Sequence, residues 1–282
     1  MTEVSALPHP PVPTTGHAKP RSTRHQAVAL SRVVGLNTEE SGQQASLLHR
    51  AEQRQKRQQE QFQLNVEAIV NHAISCTNNS VAGHEPDPDW LHQFLSLSEQ
   101  IQTPRMQEMW GKILAMELAQ PGAFSLRALE TLKKMTQRDA LLLIRAVALS
   151  CTINNESNHK LLIGYRSEPG YAGLLRPRQP QLPLSRFGLP YSAILTLREQ
   201  GILFAAELET GRLELDKPLR IRFVEQTMLL RPRHARLRLR YYRFTPLGQE
   251  LARLVQESGD EDYIAALNKL VLRDFQSNRS LD

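Results

Sequence analysis

Between Lys217 and Arg253 the chain gathers ten basic residues against two acidic ones, Glu225 and Glu250, a net of +8. Nine of the ten are arginine. The guanidinium group presents a planar fork of donors that meets phosphate or carboxylate oxygens two at a time, which an ammonium group does not. A localised basic stretch is the electrostatic footprint expected of a protein that meets nucleic acid. The residues assigned to that role are Arg220, Arg222, Arg231, Arg233, Arg236, Arg238, Arg240 and Arg243. Their spacing carries information. Leu219, Ile221 and Phe223 alternate with Arg220 and Arg222, and Leu237, Leu239 and Tyr241 alternate with Arg236, Arg238 and Arg240. Period two places apolar side chains on one face of a strand and the arginines on the other, so the charge is expected on one face of a sheet. Such a face could hold the phosphates of DNA or RNA, meet an acidic protein surface, or simply be solvated.

Other candidate groups are weaker. His72 and Cys76 lie one helical turn apart, with His84 and His92 following, but no second cysteine is near and no closed zinc site is expected. Cys76 and Cys151 read as small buried hydrophobes. Glu117 follows the apolar run Ile113–Met116 and could transfer protons if buried; a salt bridge or a cap for the next loop is the commoner use. No phosphate-cradling glycine loop, nucleophile elbow or His-Glu-x-x-His helix is present, so an enzyme is the minority reading and no cofactor is expected.

The elements that must position these residues fall into four stretches. Residues 1–42 are expected to be a disordered tail, because Pro8, Pro10, Pro11, Pro13 and Pro20 interrupt helices and large apolar residues are sparse. Residues 43–151 are expected to be a helical domain. Its long first helix is rich in Gln, Arg, Lys and Glu over Ala51–Gln63 and reads as solvated; Phe62, Val66, Ile69, Val70 and Ala73 then turn inward. Asp87-Pro88, Thr103-Pro104, Ser125 and Thr136 with Asp139 open four further helices. Trp90 and Trp110 fall on their apolar stripes and are expected in the core. Residues 152–257 read as an α+β domain. It has a strand at Leu161–Tyr165, a helix at Tyr191–Gln200, strands at Ile202–Leu208 and Arg212–Leu215, the two alternating segments, and a helix opened by Thr245-Pro246. Residues 258–282 are expected to be a closing helix, Asp260 to Phe275, and a tail.

The composition bounds the answer further. The 282 residues carry a formal charge of +6, yet outside the +8 segment 25 basic residues meet 27 acidic ones. Two cysteines rule out a disulfide framework. The longest apolar run, Ala140 to Cys151, is interrupted by Arg145 and is too short to span a bilayer, and the N-terminus has no apolar signal core. A soluble, cytoplasmic protein is expected.

Two resemblances add to this reading. Leu195-x-Leu197-x-x-x-Gly201-Ile202-Leu203, followed by basic strands and Tyr242-x-Phe244-Thr245-Pro246-x-Gly248-x-x-Leu251, resembles the second half of a bacterial winged-helix domain. The long connection from Gly201 to Thr245 implies inserted antiparallel strands. The presumed recognition helix offers only Ser192, Thr196, Arg198, Glu199 and Gln200 as polar reach, which favours phosphate contacts over base readout. The helical part is more specific. Trp90 and Phe94, then Gln107-x-x-Trp110-x-Lys112-Ile113-Leu114-Ala115-x-Glu117, then Gln120-Pro121-Gly122-x-Phe124-Ser125-Leu126-Arg127-x-Leu129-x-x-Leu132-Lys133, resemble an uncharacterised bacterial family catalogued as domain of unknown function 2806. The resemblance covers Ala45 to about Phe275. It implies a bacterial cytoplasmic protein and transfers no activity. The fold expected is therefore mainly α: an N-terminal helical bundle followed by a winged-helix-like α+β domain. The function expected is non-sequence-specific association with DNA or RNA. A protein-interaction scaffold or homodimerisation module is the alternative.

Overall fold

The computed structural model describes residues 22–33, 46–77, 85–154, 156–168, 177–256 and 258–281. The chain divides into two compact units, residues 1–61 and 62–282.

In the first unit, α1 (Thr23–Val33) lies within the stretch expected to be disordered. No proline follows Pro20 in that segment, and Ala27, Val28, Ala29 and Leu30 tolerate a helix. The other residues of 1–42 lie outside the described residues. The long helix α2 (Leu47–Cys76) runs across the division at Gln61–Phe62. Its first half is exposed, as the Gln-rich composition predicts.

The second unit begins with the inward-facing half of α2. Asn65, Ile69 and Ala73 are its buried positions, one turn apart. Cys76 lies on the same side but is the last residue of the helix, and it is exposed, contrary to the expectation of burial. Helices α3 (Pro88–Ser98), α4 (Pro104–Ala119), α5 (Leu126–Lys134) and α6 (Gln137–Ala148) follow. The starts of α3, α5 and α6 are set by side chains, whereas at α4 Pro104 opens the helix and Thr103 makes no side-chain cap. Asp87 accepts from the amides of Asp89 and Trp90, Ser125 from Ala128, and Thr136 with Asp139 forms a reciprocal capping box. Trp90, Phe94 and Trp110 pack ring against ring, with centroids 5.1 and 5.3 Å apart, at the centre of this layer.

Two small antiparallel sheets complete the unit. A three-stranded sheet has the order β2-β6-β3, from β2 (Lys160–Ser167), β6 (Leu237–Arg243) and β3 (Leu208–Glu209). A four-stranded sheet has the order β1-β4-β5-β7, from β1 (Thr152–Ile153), β4 (Leu219–Arg222), β5 (Gln226–Pro232) and β7 (Phe275–Leu281). Helices α7 (Tyr191–Glu199), α8 (Pro246–Ala252) and α9 (Glu261–Val271) lie among them in sequence. The protein is thus of mixed α+β class.

One buried cluster runs from Ile69 in α2 through the helices to Phe275 in β7. Polar bonds also cross from the helical stretch to α8. Glu250 accepts from the amide and hydroxyl of Ser125 at 2.7 and 2.8 Å, and Arg253 donates to the Ala123 carbonyl at 3.1 Å. The step expected before α8 has a definite geometry. Thr245 accepts from the Gly248 amide and donates to the Gly201 carbonyl, and a Cβ at Gly248 would stand 2.2 Å from the Ile202 carbonyl oxygen.

Two expected strands and the closing helix are corrected, and β5 is a strand the pattern did not reveal. Residues 212–215 are not a strand, and of residues 202–208 only Leu208 enters β3, besides an isolated bridge from Leu203 to Phe244. β5 lies in a stretch, Met228-Leu229-Leu230, whose apolar run hides its alternation. The closing helix ends at Val271, and Phe275–Leu281 forms β7, paired with β5 along seven residues.

Candidate functional site

The eight arginines singled out from the sequence do not share one face. Arg220 and Arg222 lie on β4 and Arg231 on β5, in the four-stranded sheet. Arg238, Arg240 and Arg243 lie on β6, in the three-stranded sheet. Arg233 and Arg236 lie in the connection between β5 and β6. Period two is a property of one strand and is silent about which sheet that strand joins, so the two alternating segments looked like one surface in sequence.

The three arginines of β6 are engaged. Arg238 donates to Glu168 at 3.0 Å, and Arg212 holds the other oxygen of that carboxylate at 2.6 Å. The Arg212 hydrogen bond, then the charges of Arg212 and Arg238, keep Glu168 below the usual carboxylate range. Arg240 donates to Glu207 at 2.5 Å and is largely buried. The Arg243 guanidinium stands 5.7 Å over the centroid of the Phe204 ring.

The four-stranded sheet is different. Arg220 pairs in register with Leu229, and Arg231 with Gln276. Residues directly opposite one another share a face, so Arg220, Arg222, Leu229, Arg231, Gln276 and Asn278 point the same way. All six are exposed. The opposite face buries Ile221, Met228, Leu230 and Phe275. None of the six outward residues is acidic. Among the described residues no carboxylate forms an ion pair with Arg220, Arg222 or Arg231. Arg233 is placed by the backbone of the last strand: its amide donates to the Asp274 carbonyl at 3.0 Å and its Nε to the Phe275 carbonyl at 3.4 Å. Gln276 and Asn278 were not candidates from sequence. Their segment, Gln276-Ser277-Asn278, has no apolar alternation to betray a strand.

The remaining candidates resolve as structure. The carboxylate of Glu117 is buried and accepts from the amides of Gly122 at 2.6 Å and Phe124 at 3.0 Å, so it caps the loop after α4. His84 lies outside the described residues, and among the described residues no group of three or more His, Cys, Asp and Glu could hold a metal ion. Cys151 is buried, and burial pushes its thiol up to about 12.

Fold and site together define a mixed α+β protein, a helical layer joined to two small sheets, one of which turns outward arginines that have no carboxylate partner among the described residues. The chain belongs to the family described as protein of unknown function DUF2806, whose model matches residues 49–268. That range opens in the third residue of α2 and closes inside α9. No curated protein and no solved structure matches the chain.

Proposed function

We propose that residues 62–282 bind the phosphate backbone of duplex nucleic acid through the outer face of the four-stranded sheet, without reading base sequence. The observation that carries this reading is the basic face itself: Arg220, Arg222 and Arg231 on one face of the sheet, exposed and without a carboxylate partner among the described residues. Charge left unneutralised on a flat polar surface is what backbone contact uses. The outward residues include no aromatic ring, so the face lacks the stacking platform that single strands require, and this favours a duplex. The order of α7, the Gly201 turn, β3 paired with β6 and the Thr245-capped α8 supports a winged-helix-like reading of this part, in which β4 and β5 would be inserted strands. Helix α7 exposes Tyr191 and Leu195 beside Ser192 and Glu199, a poor surface for base edges. A cytoplasmic location belongs to this reading; no described helix is long and apolar enough to cross a membrane.

The test is fluorescence anisotropy with two mixed-sequence duplexes at low salt. Wild type is expected to bind both equally, and the triple variant Arg220→Ala, Arg222→Ala, Arg231→Ala to bind at least about tenfold more weakly. Absence of binding at micromolar protein would sink the reading.

A second reading, a protein-interaction or self-association role, is favoured by Leu47 and Leu48, which stand 75% and 70% exposed on α2. Light scattering on the full chain and on residues 62–282 separates the two readings. Self-association lost on truncation, with duplex binding absent from both, would support the second.

A further inference from the structure

We propose that the cleft where β5 ends and β7 begins binds a phosphomonoester, that of a nucleoside 5′-monophosphate, either free or at the phosphorylated end of a duplex. The proposal deepens the nucleic-acid reading above and rests on it for the second of these sources.

The cleft has a volume of about 460 Å³, and Arg231, Arg233, Gln276 and Asn278 supply its polar wall. Leu229 and Leu272, both partly solvent-facing, supply an apolar patch beside them. This volume lies within the range of small-ligand sites, roughly 300–1,000 Å³. None of the described residues lining it is acidic. The nearest carboxylate in sequence, Asp274, is occupied elsewhere: it accepts from the Tyr165 hydroxyl at 2.5 Å and lies 3.6 Å from His234 Nε2. One cation is pre-placed: Arg233 is held to the Asp274–Phe275 backbone through its amide and Nε, which leaves its terminal amino groups to meet a ligand, while the strand register sets the backbone of Arg231 opposite Gln276. Groups already ordered lose little entropy on binding.

Charge selects the ligand class. A phosphodiester in a chain carries one negative charge, whereas a phosphomonoester carries about −1.5 to −2 at neutral pH. Two guanidinium groups in one cleft, with no carboxylate paired to them among the described residues, match the second. Asn278 and Gln276, with carboxamides that both donate and accept, can meet a phosphate oxygen or a base edge, and the leucines offer an apolar contact to sugar or base.

The experiment uses the full chain and four probes: one duplex with 5′-phosphates, the same duplex with 5′-hydroxyls, adenosine 5′-monophosphate, and adenosine. Wild type is expected to prefer the phosphorylated duplex by about tenfold, or to bind the monophosphate and not adenosine, or both. A duplex preference without nucleotide binding assigns the cleft to nucleic-acid ends; nucleotide binding without a preference assigns it to free nucleotide. Arg233→Gln and, independently, Asn278→Asp are expected to remove the monoester effect while leaving the melting temperature unchanged. Arg222→Gln should weaken both duplexes equally. Equal affinity for the two duplexes together with no nucleotide binding overturns the cleft and leaves the sheet-face reading intact. Nucleotide binding with neither duplex bound overturns the sheet face and leaves the cleft.

Discussion

The Glu117 side chain is the sharpest case of a residue whose type suggests chemistry and whose surroundings assign it to structure. Both of its oxygens are taken by backbone amides, those of Gly122 and Phe124, in a buried setting. Glu117→Ala strands one buried donor, the Phe124 amide, while the Gly122 amide belongs to an exposed residue that water can reach, so a loss of about 1–3 kcal/mol is expected in urea unfolding. Glu117→Gln keeps one acceptor oxygen and should lose roughly half as much. His159 offers a pH test. Part burial, then the charge of Lys160, hold its imidazole below its ordinary value of 6.5. The unfolded chain therefore takes up a proton at a pH where the folded chain still resists it. The stabilisation is complete above the unfolded value and is lost as the pH falls through 6.5 toward the lower folded value. The urea midpoint is expected to drop between about pH 7.5 and 5.5, and His159→Gln should shrink that drop.

At the scale of elements, β7 does most to organise the site. It places Gln276 and Asn278 on the arginine face while its first residue, Phe275, is wholly buried and meets Tyr165 edge-on at 5.3 Å between centroids. Had this stretch been the end of a helix and a tail, truncating Phe275 would cost little. As the first residue of a strand sunk into the core, Phe275→Ala is expected to cost about 3–5 kcal/mol, read as a lowered urea midpoint with an unchanged slope. The neighbouring α8 shows what was legible at this scale. Thr245-Pro246-x-Gly248 announced a capped helix start with a small residue for close packing, and the Thr245 cap and the tight approach of Gly248 to Ile202 are both found. Such motifs are legible because they are local: a cap involves residues three apart, and a missing Cβ is visible in the sequence. The strand β7 has no such signal, since its pairing depends on β5, some fifty residues earlier in the chain.

For the whole molecule the decisive quantity is how many cations one polyanion can meet. Counterion release makes the logarithm of affinity fall with the logarithm of salt at about 0.9 per phosphate contacted. If Arg220, Arg222, Arg231 and Arg233 act alone, the slope for duplex DNA is expected near about −3.6; if all eight arginines acted it would be about −7. A titration over roughly 50–200 mM salt separates the two. The smaller value is expected because the carboxylates of Glu168 and Glu207 already hold Arg238 and Arg240.

The sequence by itself determined the mixed helical and sheet composition of the chain, most helix starts, the burial of Trp90 and Trp110, the family, and the concentration of charge in one segment. These follow from short-range pattern: caps, apolar periodicity and residue counts within one stretch. Tertiary structure alone decided which arginines stand together. The segment from Lys217 to Arg253 crosses from one sheet to the other, and its later arginines meet glutamates from Glu168 and Glu207, far away in the chain. Strand partners and ion pairs are set by packing between distant segments, and no local pattern encodes them. The +8 segment is therefore one feature in sequence and two in space: a strand in one sheet whose arginines are engaged by Glu168, Glu207 and Phe204, and in the other an arginine face with no carboxylate partner among the described residues.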